Sequence, residues 1–547
     1  MITGQPDNQE LKKFTAICAD VCSTIASFSP VKEQGLLKKV GWVFFQGTSL
    51  FESYSLPSLL TSLSSNKTRT LKMLQWTYAR RIHNVETLGQ LQELKNKAAN
   101  FYNKLKGLTF GGDFNTPLKK GDLPASLTHL RFGGYFSRTL KKGDLPANLK
   151  HLTFGHFFNR RLIKNALPDS LTHLTFEGDF NKPLIKNALP ASLTHLTIGG
   201  DFNAPLKKGD LPASLTHLTI GGGFNQPLKK NGLPASLTHL TIEGLFYDHR
   251  PLNLVDLPAN LTHLTFGGFD QSLKKGDLPA SLTHLTFGRH FSRSLKKDDL
   301  PANLTHLTFG EDFNTPLKKG DLPNSLTHLT LGGFRQPLNK GDLPDSLTHL
   351  TFGWDFSQPL KKGVLPASLT HLMFGSNFDQ PLNLVDLPAS LTHLTFGKCF
   401  DKPLKKGDLP DSLTHLTFGF YFNQPLKKGI LPDSLTHLTL GCYFNQPLKK
   451  GDLPEGLQSL VFEGSSDVIK KGVLPLSLQR LVINGKVIPI ETVRKRQTKN
   501  KCIANIDRQI TTINNNISSS STGLSGFFNK KSNRIRSEQV QLLTGLK

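Results

Sequence analysis

Fifteen histidines recur at one position of a repeated segment: His129, His151, His173, His195, His217, His239, His263, His284, His306, His328, His349, His371, His393, His415 and His437. Imidazole titrates near neutral pH and is a common transition-metal ligand. Such a row admits three chemistries. Neutral rings can stack and hydrogen-bond to threonine or water. Protonated rings can bind anions, although neighbouring like charges resist full protonation. Adjacent neutral rings can ligate a transition metal, although two imidazoles per site are weak ligation and no carboxylate accompanies them on the strand. The uncharged stack is the expected reading, with no catalytic residue, resident metal or cofactor.

A second row is basic. Lys119, Lys141, Lys207, Lys229, Lys274, Lys296, Lys318, Lys361, Lys405, Lys427 and Lys449 each begin a Lys-Lys pair, and Lys470-Lys471 adds a twelfth. An aspartate often follows, as in Lys119-Lys120-Gly121-Asp122, and local pairing with it is expected to neutralise the row in part. The row is read first as a solubilising edge and second as a stripe for phosphate or acidic protein. Exposed aromatic platforms for single-stranded nucleic acid are missing. Trp354, Tyr421 and Tyr443 fall in the variable turn after the strand, a candidate recognition edge.

Both rows exist because the chain repeats. Leu-Pro marks a register of 22 residues, from Leu123-Pro124 to Leu474-Pro475, with three steps of 21 and one of 24. A repeat of this length is the mark of a solenoid, each unit burying its apolar face on its neighbours. Within one unit, Leu127-x-x-Leu130-x-Phe132 matches a leucine-rich strand signature. Leu130 and Phe132 alternate with His129 and Arg131, which puts the apolar pair inward and histidine on an outward, concave sheet face. Phe136 and Leu140 should close the core on the return path. Gly133 and Gly143 suit turns, and Pro146 bars a long helix from the corner. The 24-residue step holds Leu245-Phe246-Tyr247-Asp248-His249-Arg250, an insertion expected to form a loop. Near-identical copies, such as Asn253-Leu254-Val255-Asp256 and Asn383-Leu384-Val385-Asp386, point to recent tandem copying.

The units resemble the FNIP repeat family, through Phe114-Asn115-Thr116-Pro117, Phe202-Asn203-Ala204-Pro205, Phe224-Asn225-Gln226-Pro227, Phe422-Asn423-Gln424-Pro425 and Phe444-Asn445-Gln446-Pro447. Phe136-Ser137-Arg138, Phe269-Asp270-Gln271 and Phe291-Ser292-Arg293 depart from that pattern. The resemblance covers residues 105 to about 485. It implies a leucine-rich-repeat-like fold, of a kind found in amoebae and large viruses of protists, and in several cases an F-box substrate adaptor.

The expected fold is a β-rich solenoid: a parallel sheet of about 18 short strands at 101–485, a small helical N-terminal region at 1–100 and a disordered basic tail at 486–547. Helices are read over 11–28 and 70–99. Leu56-Pro57-Ser58-Leu59-Leu60-Thr61-Ser62-Leu63 echoes either the repeat or a diverged F-box start. The tail carries twelve Lys and Arg against three Asp and Glu, with Arg494-Lys495-Arg496 as a basic run. Net charge is +25, which favours anionic partners. Five scattered cysteines, no apolar span and no secretory leader point to an intracellular protein, cytoplasmic or nuclear. No paired carboxylates, nucleophile elbow, phosphate loop or zinc spacing is present. The expected function is a non-enzymatic scaffold that binds a protein partner through the solenoid. The alternatives are a ubiquitin-ligase substrate adaptor and a non-specific binder of nucleic acid or anionic surfaces.

Overall fold

The computed structural model describes residues 81–248, 251–382, 387–464 and 473–490, with the short stretch 53–55; residues 53–55 and 81–83 are described by backbone alone. The chain divides into two compact units, Met1–Leu193 and Thr194–Lys547.

In the first unit β1 (Ser53–Ser55) pairs in parallel with β2 (Arg81–Val85), and β2 with β3 (Gly107–Phe110). The ladder continues through β4 (His129–Arg131), β5 (His151–Phe154) and β6 (His173–Phe176), with His129 opposite His151 and His151 opposite His173. The helix expected over 70–99 is shorter than its apolar pattern suggested. Residues 81–85 are strand, because they pair along β3, and Asn84 takes a left-handed φ of 57°. The helix α1 (Leu88–Lys97) starts only after Thr87, whose hydroxyl and the Gln90 side chain form a reciprocal cap. It buries Leu91 and Leu94, and the short α2 (Ala99–Tyr102) follows. The helix read over 11–28, the Leu56-Pro57 segment and the basic tail from 491 on lie outside the described residues, while the first residues expected in that tail, Lys486–Ile488, form a strand.

The second unit repeats the pattern from β7 (His195–Ile198) to β18 (His437–Leu440), then β19 (Ser459–Phe462) and β20 (Arg480–Ile483). Repeat strands number four in the first unit and fourteen in the second, the expected eighteen. An antiparallel strand β21 (Lys486–Ile488) folds back on β20. The 24-residue step does not make the expected loop. It lengthens β9 (His239–Tyr247), and β10 (His263–Asp270) matches it, with Phe269 opposite Phe246 past a shift in register. His249 and Arg250 of that step lie outside the described residues.

The alternation is plain in the burial of His151–Phe154, where Leu152 and Phe154 are buried and His151 and Thr153 are half-exposed. On the return path Phe136, Phe158, Phe356 and their equivalents are fully buried. Where the strand also carries phenylalanine the two rings of a repeat stack, as Phe352 on Phe356 at 3.9 Å, and return-path rings stack from one repeat to the next, as Phe356 on Phe378 at 6.1 Å. Full burial of one such ring is worth about 1.5–3 kcal/mol. The corner closes with Leu347 N–H donating to Pro344 C=O at 3.2 Å.

Two glycines of the repeat act for different reasons. A Cβ on Gly353, after the strand, would stand 1.6 Å from the Gly332 carbonyl oxygen of the preceding repeat. Gly341, in the Lys turn, has φ +90°, and a Cβ there would meet Lys319 methylenes at no closer than 3.5 Å, ordinary van der Waals contact. The aligned position elsewhere holds Asn165, Asn187, Asn231 or Asp298 with φ between 59° and 71°, the residues that best tolerate the left-handed region.

The asparagine of Phe-Asn-x-Pro also has a structural task. The Asn203 Oδ1 accepts the Asn225 backbone N–H at 3.1 Å, and the Asn423 Oδ1 accepts that of Asn445 at 2.8 Å. Aspartate serves in the departing units, where the Asp270 Oδ1 accepts from the Ser292 N–H at 2.9 Å.

Candidate functional site

The parallel register brings the histidines together. In the second unit, rings from His195 to His437 stack with centroids 4.1–4.2 Å apart and nearly parallel planes. In the first unit His129, His151 and His173 stack at 4.3 and 4.2 Å. Thr265 lies opposite Thr286, and Thr286 opposite Thr308, so a threonine row runs beside the imidazoles.

A second set of threonines, directly before the histidines, orients the rings. Thr348 Oγ1 donates to the Thr327 carbonyl at 3.1 Å and lies 2.9 Å from His349 Nδ1. The same two bonds recur from Thr216–His217 to Thr436–His437. A hydroxyl has one proton. That proton can serve the Thr327 carbonyl, which already accepts the Thr348 and His349 backbone N–H groups at 2.9 Å each, or it can serve Nδ1; either way the contact fixes the orientation of the ring. The Thr-His pair stands in the sequence, but its role depends on the carbonyl of the repeat before.

Nine of the rings in the second unit are held toward the neutral form. Partial burial, then the neighbouring imidazoles, pushes His284 and His349 down to about 4. The same causes lower His217, His239, His263, His328, His371, His393 and His415. The arrangement therefore favours the uncharged stack at pH 7 and moves any anion-binding form to acid pH. Among the described residues, no group of three or more His, Cys, Asp or Glu is gathered to hold a metal ion.

The lysine turns depart from expectation. Asp122 does not bond the lysine ammonium groups; its Oδ2 accepts the backbone N–H of Lys119 at 2.7 Å. Asp144, Asp210, Asp277, Asp299, Asp321, Asp408 and Asp452 do the same for Lys141, Lys207, Lys274, Lys296, Lys318, Lys405 and Lys449. The carboxylate is the local acceptor that a tight turn requires. Of the described Lys-Lys pairs, Lys275 makes an ion pair, with Asp298 at 3.0 Å. Methylenes of Lys319 lie 3.5 Å from where a Gly341 Cβ would stand, and those of Lys428 lie 3.6 Å from the equivalent point on Gly451. The glycine thus leaves room for the lysine stem of the preceding repeat. Lys361 of the row follows the same turn pattern, with Val364 in place of the aspartate.

The turn after each strand forms a rim of changing character. Tyr135 and Phe157 stack at 4.8 Å, both exposed. In the second unit Arg289 pairs with Glu311 at 3.1 Å and Arg335 with Asp355 at 2.6 Å. Trp354 is 76% exposed. Farther on, Phe420, Tyr421 and Tyr443 form an exposed cluster with centroids 5.0–5.2 Å apart. The Lys398 ammonium lies 5.5 Å from the Phe420 ring and 5.6 Å from that of Tyr421. Trp354, Tyr421 and Tyr443 were legible in the sequence; Phe420 and Lys398 were not.

Among the described residues no helix is long and apolar enough to cross a membrane. The comparisons with known proteins agree with this architecture. The solved structure of CroV588, described as a novel circular leucine-rich-repeat protein, is 42% identical, with a TM-score of 0.64 over 74% of this chain and 59% of that one. This chain thus spans less than two thirds of that protein. A chain of the Drosophila Toll–Spätzle complex is 15% identical, with a TM-score of 0.40 over 81% of this chain and 60% of that one. No curated protein matches. The FNIP Repeat model matches twelve segments between residues 103 and 486. With the strand register, the phenylalanine stacks and the asparagine bonds accounted for, the chain belongs to the FNIP repeat family, as a solenoid of leucine-rich-repeat type.

Proposed function

We propose that this protein is a non-enzymatic scaffold that binds a protein partner along the solenoid, chiefly at the rim of turns after the strands. The observation that carries this reading is where near-identical repeats differ. Leucine, histidine and phenylalanine recur from unit to unit, whereas the two residues before the return-path phenylalanine read Gly134-Tyr135, His156-Phe157, Arg289-His290, Glu311-Asp312, Trp354-Asp355, Lys398-Cys399 and Phe420-Tyr421. Copies that share an origin have diverged there in charge, size and aromaticity. Exposed tyrosine and tryptophan are the side chains that most often anchor interfaces.

The test compares the full-length protein with a variant carrying Phe420→Ser, Tyr421→Ser and Tyr443→Ser in nuclease-treated host lysate. Partners held by the first and lost by the second support the rim. Identical sets overturn it. If ligase subunits are among the partners and are lost on deleting residues 1–100, the adaptor reading is favoured; it rests on Leu56-Pro57 and on family resemblance.

A second reading has its own observation. The turn aspartates bond backbone N–H groups, so the ammonium groups of the lysine pairs, Lys275 with its Asp298 partner apart, are directed at no turn aspartate and can meet an anionic partner. Affinity for a polyanion would then fall steeply with salt, and a flat salt dependence would exclude it.

A further inference from the structure

The geometry points to a phosphate clamp on the return path of the first unit, in which the guanidinium groups of Arg138 and Arg160 hold one phosphomonoester on a phosphorylated side chain of a protein partner. The inference rests on the scaffold reading and names a class of partner for it. Both arginines take the x position of the Phe-Asn-x-Pro segment in neighbouring repeats, and both are exposed. Each reaches back to the repeat before it. The Arg138 Nε–H donates to the Asn115 carbonyl at 2.8 Å, and the Arg160 Nε–H donates to the Ser137 carbonyl at 3.0 Å. Asn115 and Ser137 are themselves equivalent residues, joined by the bond from the Ser137 N–H to the Asn115 Oδ1 at 3.1 Å. The two guanidinium groups are therefore anchored by the same bond one repeat apart, where the Phe136 and Phe158 rings lie 6.2 Å from each other. A guanidinium has five N–H donors. The anchor uses the one on Nε and leaves the four on the Nη atoms. A planar fork fixed in this way is pre-organised for parallel bonds to phosphate oxygens.

The pair is set apart by a missing counter-charge. Arg293 stands at the same repeat position in the second unit. There it reaches back to Asp270, which accepts from Nε at 3.1 Å and pairs with Nη2 at 3.1 Å, while Asp248 pairs with Nη2 at 3.2 Å. Asn115 and Ser137 occupy the position of Asp270, so the chain offers Arg138 and Arg160 a carbonyl but no carboxylate. Among the described residues neither arginine has an ion-pair partner. Lys182 takes the same position one repeat farther on, and Ala166 and Ala188 fill the turn position that aspartate holds in other repeats. A phosphomonoester carries a charge of about −1.5 to −2 at pH 7 and three acceptor oxygens, which suits two forks at once. A phosphodiester has a single charge and two free oxygens to share between them. Exposed Tyr135 and Phe157, stacked at 4.8 Å, stand three residues before the two arginines and offer an aromatic contact to the residues beside the phosphate.

The test is retention, on the full-length protein, of a peptide library with one fixed phosphoserine, phosphothreonine or phosphotyrosine, against the same library after phosphatase. Three variants are compared: Arg138→Gln with Arg160→Gln, Arg138→Lys with Arg160→Lys, and Lys104→Gln with Lys150→Gln. The last removes the same charge from exposed lysines of the same unit. The native protein should retain about tenfold more of the phosphorylated library, since bonds to charged groups are at stake. Both arginine variants should lose that preference, the second because lysine keeps the charge without the fork, and the Lys104/Lys150 variant should keep it. Circular dichroism checks each fold, and if the glutamine variant does not fold the lysine-for-arginine variant decides. No phosphate preference in the native protein overturns the proposal, and so does full preference in the lysine-for-arginine variant. Displacement of the peptides by inorganic phosphate at equal concentration would mean a site for the free ion. Loss of duplex DNA binding in the arginine variants with phosphopeptides still held would mean a nucleic-acid contact. Either result overturns the clamp. The scaffold reading is decided separately, by the lysate partners and the rim variant.

Discussion

Thr348 Oγ1 lies 2.9 Å from His349 Nδ1 and 3.1 Å from the Thr327 carbonyl oxygen. One hydroxyl proton serves only one of these contacts; where it goes to the carbonyl, Nδ1 is the donor in the other. Selective ¹⁵N labelling of histidine should then show the ladder rings protonated at Nδ1 at pH 7. Thr348→Val should restore an Nε2–H population at His349, with a stability loss of about 0.5–1.5 kcal/mol for the lost hydrogen bonds. A ladder already protonated at Nε2 in the native protein would send the hydroxyl proton to Nδ1 instead.

Stability should fall on acidification within a defined window. His284 and His349 are lowered from 6.5 to about 4 by burial and by their neighbours. Between those values the unfolded chain binds more protons than the folded one, so stability rises with pH there. The contribution is fully present above pH 6.5 and is lost as pH falls through about 4. Melting temperature measured from pH 7 to pH 4 should drop steadily, and a variant with His284→Asn and His349→Asn should drop less. Equal slopes in both proteins would remove the ladder as the cause.

Much of this was legible in the sequence, and the failures share a physical cause. Alternation in His151–Phe154 gave strand and face directly, because period-2 burial needs no knowledge of the partner. The strand at Arg81–Val85 was hidden, because its apolar residues also suit a helix and its pairing with β3 decides the matter. Asp122 beside two lysines looked like an ion-pair partner; the turn geometry hands it to a backbone N–H instead. The Thr348 bond to a carbonyl one repeat away is a three-dimensional fact, and so is the placing of Lys398 over Phe420 and Tyr421.

Core and rim aromatics two residues apart should part company on mutation. Phe356 is fully buried against Phe352, so Phe356→Ala should cost about 3–5 kcal/mol. Trp354 is 76% exposed, and Trp354→Ala should change stability by no more than about 0.5 kcal/mol. Chemical denaturation distinguishes them. A large loss at Trp354 would mean that the rim is part of the fold rather than a surface free to contact partners.

The two repeat glycines should separate as cleanly. Gly353→Ala sets a methyl group 1.6 Å from the Gly332 carbonyl oxygen and 2.4 Å from its carbon. Backbone on both sides must move, at a cost of about 1–3 kcal/mol. Gly341→Asn meets only the Lys319 methylenes at 3.5 Å, and its φ of +90° is a conformation that asparagine tolerates better than most residues. Asn231 already occupies the aligned position with φ 59°. Gly341→Asn should therefore stay within about 0.5 kcal/mol of the parent, whereas Gly341→Val should lose about 1–2 kcal/mol or more through its branched Cβ in the left-handed region. If Gly341→Asn proved as damaging as Gly353→Ala, close packing between repeats rather than backbone sign would govern the Lys turn, and seating of the lysine stems over that glycine would be the contact at fault.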